Sequence, residues 1–287
     1  MSRGKKTIFF LVIIVTLVFV GAFAIGVVGK GSGEKFGVVE IEGVITQSGD
    51  TMADMVRFSE DASIKGVIVR INSPGGSVGP TQEIYREMIK LREKKKVFVS
   101  MGGICASGGY YIASAGEKIY ASPSTITGSI GVIMEQMVIE DLLKKIGVQP
   151  NTLKAGEYKN VGSPFKKMTS KEREYLDRIM TSIHEQFISD VAVGRKMDVE
   201  SVRKLSDGRI YTGTQAKEAK LVDNIGTLYD CRDDLKTTLN IKRKPVLIYG
   251  KRPFSFAKWF FSSFAREMIS QSTASPFKFL FKGNAGF

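Results

Sequence analysis

The chain has 287 residues, 43% apolar and 25% charged, with a formal net charge of +13. That length buries one good core and that composition excludes bulk disorder. A single His and two Cys leave a structural zinc site without ligands and allow at most one disulfide.

Arg3, Lys5 and Lys6 precede an uncharged run from Thr7 to Gly29, long enough to cross a bilayer core as a helix. The basic flank places the N-terminus in the cytoplasm and the rest of the chain outside, periplasmic or extracellular. Residues 1–29 therefore read as a single-pass anchor in the cytoplasmic membrane. Ala22-Phe23-Ala24 has the small-x-small form of a cleavage site, so a cleaved export signal is the rival reading. Residues 30–35 form a Gly-rich linker.

A strand is predicted from Phe36 to Ile45, a short helix from Thr51 to Ala62, and a buried strand from Lys65 to Ile71. Asn72-Ser73-Pro74-Gly75-Gly76 is a turn signal, after which Thr81 caps a helix running to Lys95. A strand over 96–101 leads through glycines to a helix over 107–115, with further strands over 118–121 and 129–134 and a helix over 139–146. The second half is more helical, with helices over 171–194, 199–205, 213–221 and 227–239 before a last strand over 245–249. Short alternating strands and helices argue for an α/β core with parallel strands, spanning 36–250 without an internal repeat.

His184, the sole histidine, falls at the edge of an apolar helical stripe and reads as a packing residue rather than a catalytic base. With no metal-ligand cluster, an exported hydrolase of this inventory has lysine as its remaining means of activating a nucleophile. Ser107 lies among small residues in Gly102-Gly103-Ile104-Cys105-Ala106-Ser107-Gly108-Gly109-Tyr110-Tyr111, at a strand-to-helix junction. Such neighbours let a peptide approach closely, and the Gly108 N–H is placed for a developing oxyanion. Gly75 or Gly76 can give a second donor. Two decoys carry less. Ser163-Pro164-Phe165-Lys166 has Ser-x-x-Lys spacing but sits in a loop, and Cys105 has no base beside it.

Asn72 to Gly76, then Ala106 to Tyr111, then Thr127-Gly128-Ser129-Ile130-Gly131-Val132 together resemble the signal peptide peptidase family of serine proteases, in its short single-domain form. The resemblance runs from about Phe36 to Leu239 and implies a fold related to the Clp proteases and crotonases: a spiral of repeated β-β-α units with an added helical region. It also implies a Ser/Lys dyad. Ser107 matches the nucleophile, Lys159 the general base and Ser129 the hydroxyl that orients the lysine, although Lys154, Lys166 and Lys167 lie near Lys159. In that family neighbouring domains complete each other's dyads, which implies a ring-like homo-oligomer here. Hydrophobic, membrane-derived peptides such as released signal peptides are the expected substrates, with no cofactor. A crotonase-like acyl-coenzyme A enzyme and an inactive membrane scaffold are the alternatives.

Residues 251–287 form a basic aromatic tail holding half of the 18 Phe and the sole Trp259. Phe256, Trp259, Phe260, Phe264 and Ile269 suit an interfacial membrane helix, packing on the protease domain being the other reading. The segment Phe277–Phe281 is suited equally to entering the chain's own substrate groove. No nucleic-acid motif accompanies the positive charge, so a membrane surface is the expected partner.

Overall fold

Phe36, Val38, Val39 and Ile41 are buried on both faces of one strand, the pattern of a sheet covered on two sides. The computed structural model describes residues 33–250, together with Thr16 and the strand Lys278–Leu280. Apart from Thr16, the expected anchor lies outside the described residues, as does the amphipathic tail helix. Among the described residues no helix is long and apolar enough to cross a membrane.

The first half comprises β1 (Lys35–Glu42), α1 (Gly49–Glu60), β2 (Ile64–Ser73), β3 (Gly75–Ser77), α2 (Val78–Lys94), β4 (Lys96–Ala106), α3 (Gly108–Ser114), β5 (Lys118–Ala121) and β6 (Ile126–Gly128). There follow α4 (Glu140–Lys145), α5 (Ser170–Arg195), α6 (Val199–Lys204), β7 (Ile210–Thr212), α7 (Gly213–Glu218), β8 (Asn224–Ile225), α8 (Leu228–Thr238), β9 (Val246–Tyr249) and β10 (Lys278–Leu280). The main sheet runs β7-β6-β4-β2-β1-β9, with β5 on β4 and β8 on β5. Every ladder in it is parallel except β6–β7. The expected mixed α/β architecture around a central, largely parallel sheet is therefore present.

Two apolar layers flank the sheet. On one face Met55 and Phe58 of α1, Ile84 and Met88 of α2, Tyr110 and Tyr111 of α3, and Phe187 and Val191 of α5 form the larger cluster. On the other, Phe36, Ile68, Phe98 and Tyr120 meet Cys231 and Leu235 of α8. Because α3 is buried along its whole length, the residue before it is fixed by the core rather than by a surface loop.

Several boundaries differ from the sequence reading. The strand expected over 129–134 lies at Ile126–Gly128 and stops there, since Gly128 (φ 76°) and Ser129 (φ 51°) both leave the extended region. Thr81 does not cap α2. The helix begins at Val78, Pro80 occupies its first turn where a missing N–H costs nothing, and the Thr81 hydroxyl donates to the Ser77 carbonyl at 2.8 Å. The strand expected to end at Met101 continues to Ala106. The Gly75-Gly76 turn contains the short strand β3, which the sequence did not suggest.

Candidate active site

Three chain segments converge where β2, β4 and β6 end. In the β2–β4 ladder Ile71 pairs with Met101 and Ser73 with Cys105, so Gly102, Gly103 and Ile104 face Asn72 alone. This bulge is pinned on both sides. Asn72 Oδ1 accepts the Ile104 N–H at 3.2 Å, and the Thr125 hydroxyl donates to the Gly102 carbonyl at 2.8 Å. A Cβ at Gly102 would lie 2.6 Å from Asn72 Oδ1, so only glycine admits the side chain there. Beyond the bulge β4 pairs with β6, Ala106 opposite Gly128.

Ser107 follows directly. It is 1% exposed, with φ 53° and ψ −119°, a conformation that costs a non-glycine residue about 1–3 kcal/mol and persists only where its surroundings enforce it. Its N–H donates to the Gly128 carbonyl and its own carbonyl accepts the Tyr111 N–H, each at 2.8 Å. The Ser107 side chain makes no capping hydrogen bond to α3. Ser129, the next residue after Gly128, is 8% exposed and donates its N–H to Arg209 at 2.8 Å. The backbone thus brings Ser107 and Ser129 side by side, both at positive φ.

The Gly75-Gly76 segment joins them from β2. A Cβ at Gly109 would stand 2.9 Å from the Ser73 carbonyl, which measures how closely α3 approaches the end of β2. Ile45 donates its N–H to Gly75 O (2.9 Å) and accepts from Ser77 N–H (2.8 Å), so the intervening Gly76 directs its N–H to the opposite edge of β3. The Gly75 N–H is taken by Ser73 Oγ at 3.1 Å. At Gly76 a Cβ would fall 2.0 Å from the Ile45 carbonyl, so glycine is obligatory. The edge of β3 away from Ile45 pairs antiparallel with β10, Phe279 opposite Gly76 and Leu280 opposite Gly75. A segment from the chain's own tail therefore lies along the Gly-Gly strand.

Lys159 stands apart. It is exposed, in a turn where its N–H reaches Gly156 O at 3.3 Å, and among the described residues its amine bonds to neither Ser107 nor Ser129. Its neighbours are engaged: Lys154 with the Glu157 carbonyl (2.6 Å) and Asn160, Lys166 with Glu172, and Lys167 with Asp141 (2.8 Å). The region carrying Lys159 is sparsely packed, since α4 has no buried residue and Leu153 and Met137 are 94% and 78% exposed.

The decoys resolve in the geometry. Ser163 Oγ accepts the Phe165 N–H at 3.3 Å while Lys166 pairs with Glu172, so the two do not meet. Burial pushes the Cys105 thiol well above its ordinary pKa, the reverse of what a thiolate nucleophile needs. His184 is half-buried on α5, with Nε2 unpartnered. Sequence reasoning missed Asn72 as the bulge pin, and the paired glycines after a strand were the available signal.

A buried serine at a strained strand-to-helix turn, with glycine amides nearby, is the arrangement of a serine hydrolase. The model of peptidase family S49 matches residues 89–242. A protein of Methanocaldococcus jannaschii assigned as a protease is 39% identical over 193 residues, 67% of this chain and 62% of the relative. A protein of Enterococcus faecium assigned as signal peptide peptidase SppA is 34% identical over 259 residues, covering 85% and 75%. The chloroplastic serine protease SPPA of Arabidopsis thaliana is 33% identical over 197 residues, 68% of this chain but 29% of the plant protein. The chain belongs to peptidase family S49 and is a serine protease.

Proposed function

We propose that the chain is an endopeptidase of unfolded, apolar peptides, released signal peptides among them, in which Ser107 attacks and Lys159 of a neighbouring copy takes its proton. The observation that carries this reading is the buried, strained Ser107 beside β3, whose edge already holds an extended segment as an antiparallel strand. A substrate bound the same way gains main-chain hydrogen bonds whatever its sequence, and the glycine backbone leaves room beside it. Its scissile carbonyl then meets the Gly108 N–H and the outward Gly76 N–H, which suits the oxyanion role better than the Gly75 amide already bonded to Ser73.

A lysine side chain free in water, with a pKa of about 10.4, is neutral in fewer than about one molecule in a thousand at pH 7. Burial lowers that value, at about 1.4 kcal/mol per unit. Docking the exposed apolar side chains of this segment, Met137, Leu142, Ile146 and Leu153, onto another subunit would supply such burial, so activity requires assembly into a ring-like homo-oligomer. Ser129 then orients the incoming amine. The finer likeness to the Clp and crotonase spiral, the anchor over 1–29 and a catalytic domain outside the cytoplasmic membrane belong to the same reading.

The test mixes two inactive proteins. Ser107→Ala subunits keep the lysine and Lys159→Ala subunits keep the serine, so co-assembly restores about a quarter of the sites when they form between subunits. Cleavage of a fluorogenic apolar peptide by the mixture, with none by either protein alone, is the expected result. Continued silence in rings shown to contain both variants sinks the shared site.

A further inference from the structure

Tyr111 links the serine turn to the rest of the molecule. It is the fourth residue after Ser107 and closes that turn through its N–H at 2.8 Å. Its ring is buried, edge-on to Tyr85 at 5.0 Å and tilted on Phe187 at 4.6 Å. The phenol donates to the Asp190 carboxylate on α5. Gln82 Nε2 of α2 makes a long 3.5 Å contact to the same phenol and donates to Gln186 of α5 at 3.0 Å. Tyr85 donates to the Asp190 backbone carbonyl at 3.2 Å.

These side chains border a polar cavity of about 200 Å³ between α2 and α5, while Tyr111 itself is fully buried. Burial first, and then the Asp190 carboxylate, push the Tyr111 pKa up, so the phenol stays protonated and remains a donor. On the opposite flank the preceding residue, Tyr110, donates to the Leu221 carbonyl at 3.0 Å. Consecutive tyrosines thus stake α3 on two sides. A seven-residue helix is too short to hold its own geometry, and the Ser107 conformation needs enforcement from outside.

We propose that the Tyr111–Asp190 hydrogen bond positions the nucleophile: it ties α3 to α5 and holds the Ser107 turn in its strained, positive-φ conformation, with the Gly108 amide aimed at the oxyanion. Tyr111 and Asp190 are positioning residues, acting through the turn without touching substrate. The proposal rests on Ser107 being the nucleophile.

The test compares full-length Tyr111→Phe, Asp190→Ala, Asp190→Asn and Tyr85→Phe. The readouts are kcat and KM on a fluorogenic apolar peptide, the rate of Ser107 labelling by a fluorophosphonate, and Tm. Tyr111→Phe and Asp190→Ala lower kcat and the labelling rate about tenfold with KM within about twofold, because a misplaced nucleophile slows chemistry more than binding. Asp190→Asn keeps an acceptor and recovers to within about threefold of the parent. Tyr85→Phe deletes a bond of the same cluster that does not reach α3, and leaves kcat unchanged. Wild-type kcat in Tyr111→Phe, or equal slowing in Tyr111→Phe and Tyr85→Phe, overturns the proposal. A parent protein that is not labelled at Ser107 instead overturns the nucleophile assignment beneath it.

Discussion

Residues 96–114 and residues 132–169 carry the two halves of one proposed dyad, and they are built in opposite ways. The serine segment is core: β4 pairs with three strands, α3 is buried throughout, and even the bulge at Gly102–Ile104 is pinned through the Ile104 N–H and the Gly102 carbonyl. The lysine segment is surface, with no buried residue in α4 and large apolar side chains facing outward. A nucleophile has to be held still, and one chain can do that. A general-base lysine has to be dried, and under the proposed reading a loop this open would need its cover from another surface.

Paired substitutions sharpen that contrast. Ser107→Ala and Lys159→Ala each lower kcat/KM at least about a thousandfold, since the members of a catalytic unit fail together. Thermal unfolding separates the two regions less, because both changes leave the core packing intact and Lys159 is exposed. A Lys159→Ala protein with near-parental turnover breaks the dyad. Gly76→Ala comes next, with loss of about a hundredfold in kcat together with a lower Tm, because the added methyl meets the Ile45 carbonyl and shifts the amide proposed for the oxyanion. Enzyme assays beside calorimetry read both effects.

Leu153→Asp tests the open region directly. It leaves the Tm of the single chain unchanged, since Leu153 is 94% exposed, but lowers assembly and with it turnover. Sedimentation at several concentrations reports this, and an unaltered oligomer places the contact elsewhere. The smallest effect is a pH dependence where the lysine segment runs into α5. The Lys166 amine, then the Thr169 N–H, holds the Glu172 carboxyl down to about 2 from an ordinary 4.5. A folded value below the unfolded one makes this contribution complete above about pH 4.5 and progressively lost as the pH falls from there toward 2. Glu172→Gln should flatten that part of the Tm–pH curve. An identical acid limb in both proteins assigns the acid sensitivity to other carboxylates.

The sequence by itself determined the order and kind of most elements, because hydrophobic period and capping residues are local. The helix expected over 171–194 is α5, opened by Thr169 and Glu172, whose side chains and backbone N–H groups bond reciprocally. It also singled out Ser107, through small residues at a strand-to-helix junction. What it could not reach depended on contacts between distant segments. The positive φ of Ser107 and Ser129 follows from backbone bonds to Gly128 and Arg209, the role of Asn72 from a register shift against β4, and the Tyr111–Asp190 bond from helices 79 positions apart in the chain. Spacing along a chain encodes which face of an element is apolar, whereas the partner met by a polar tip is decided only when the layers close.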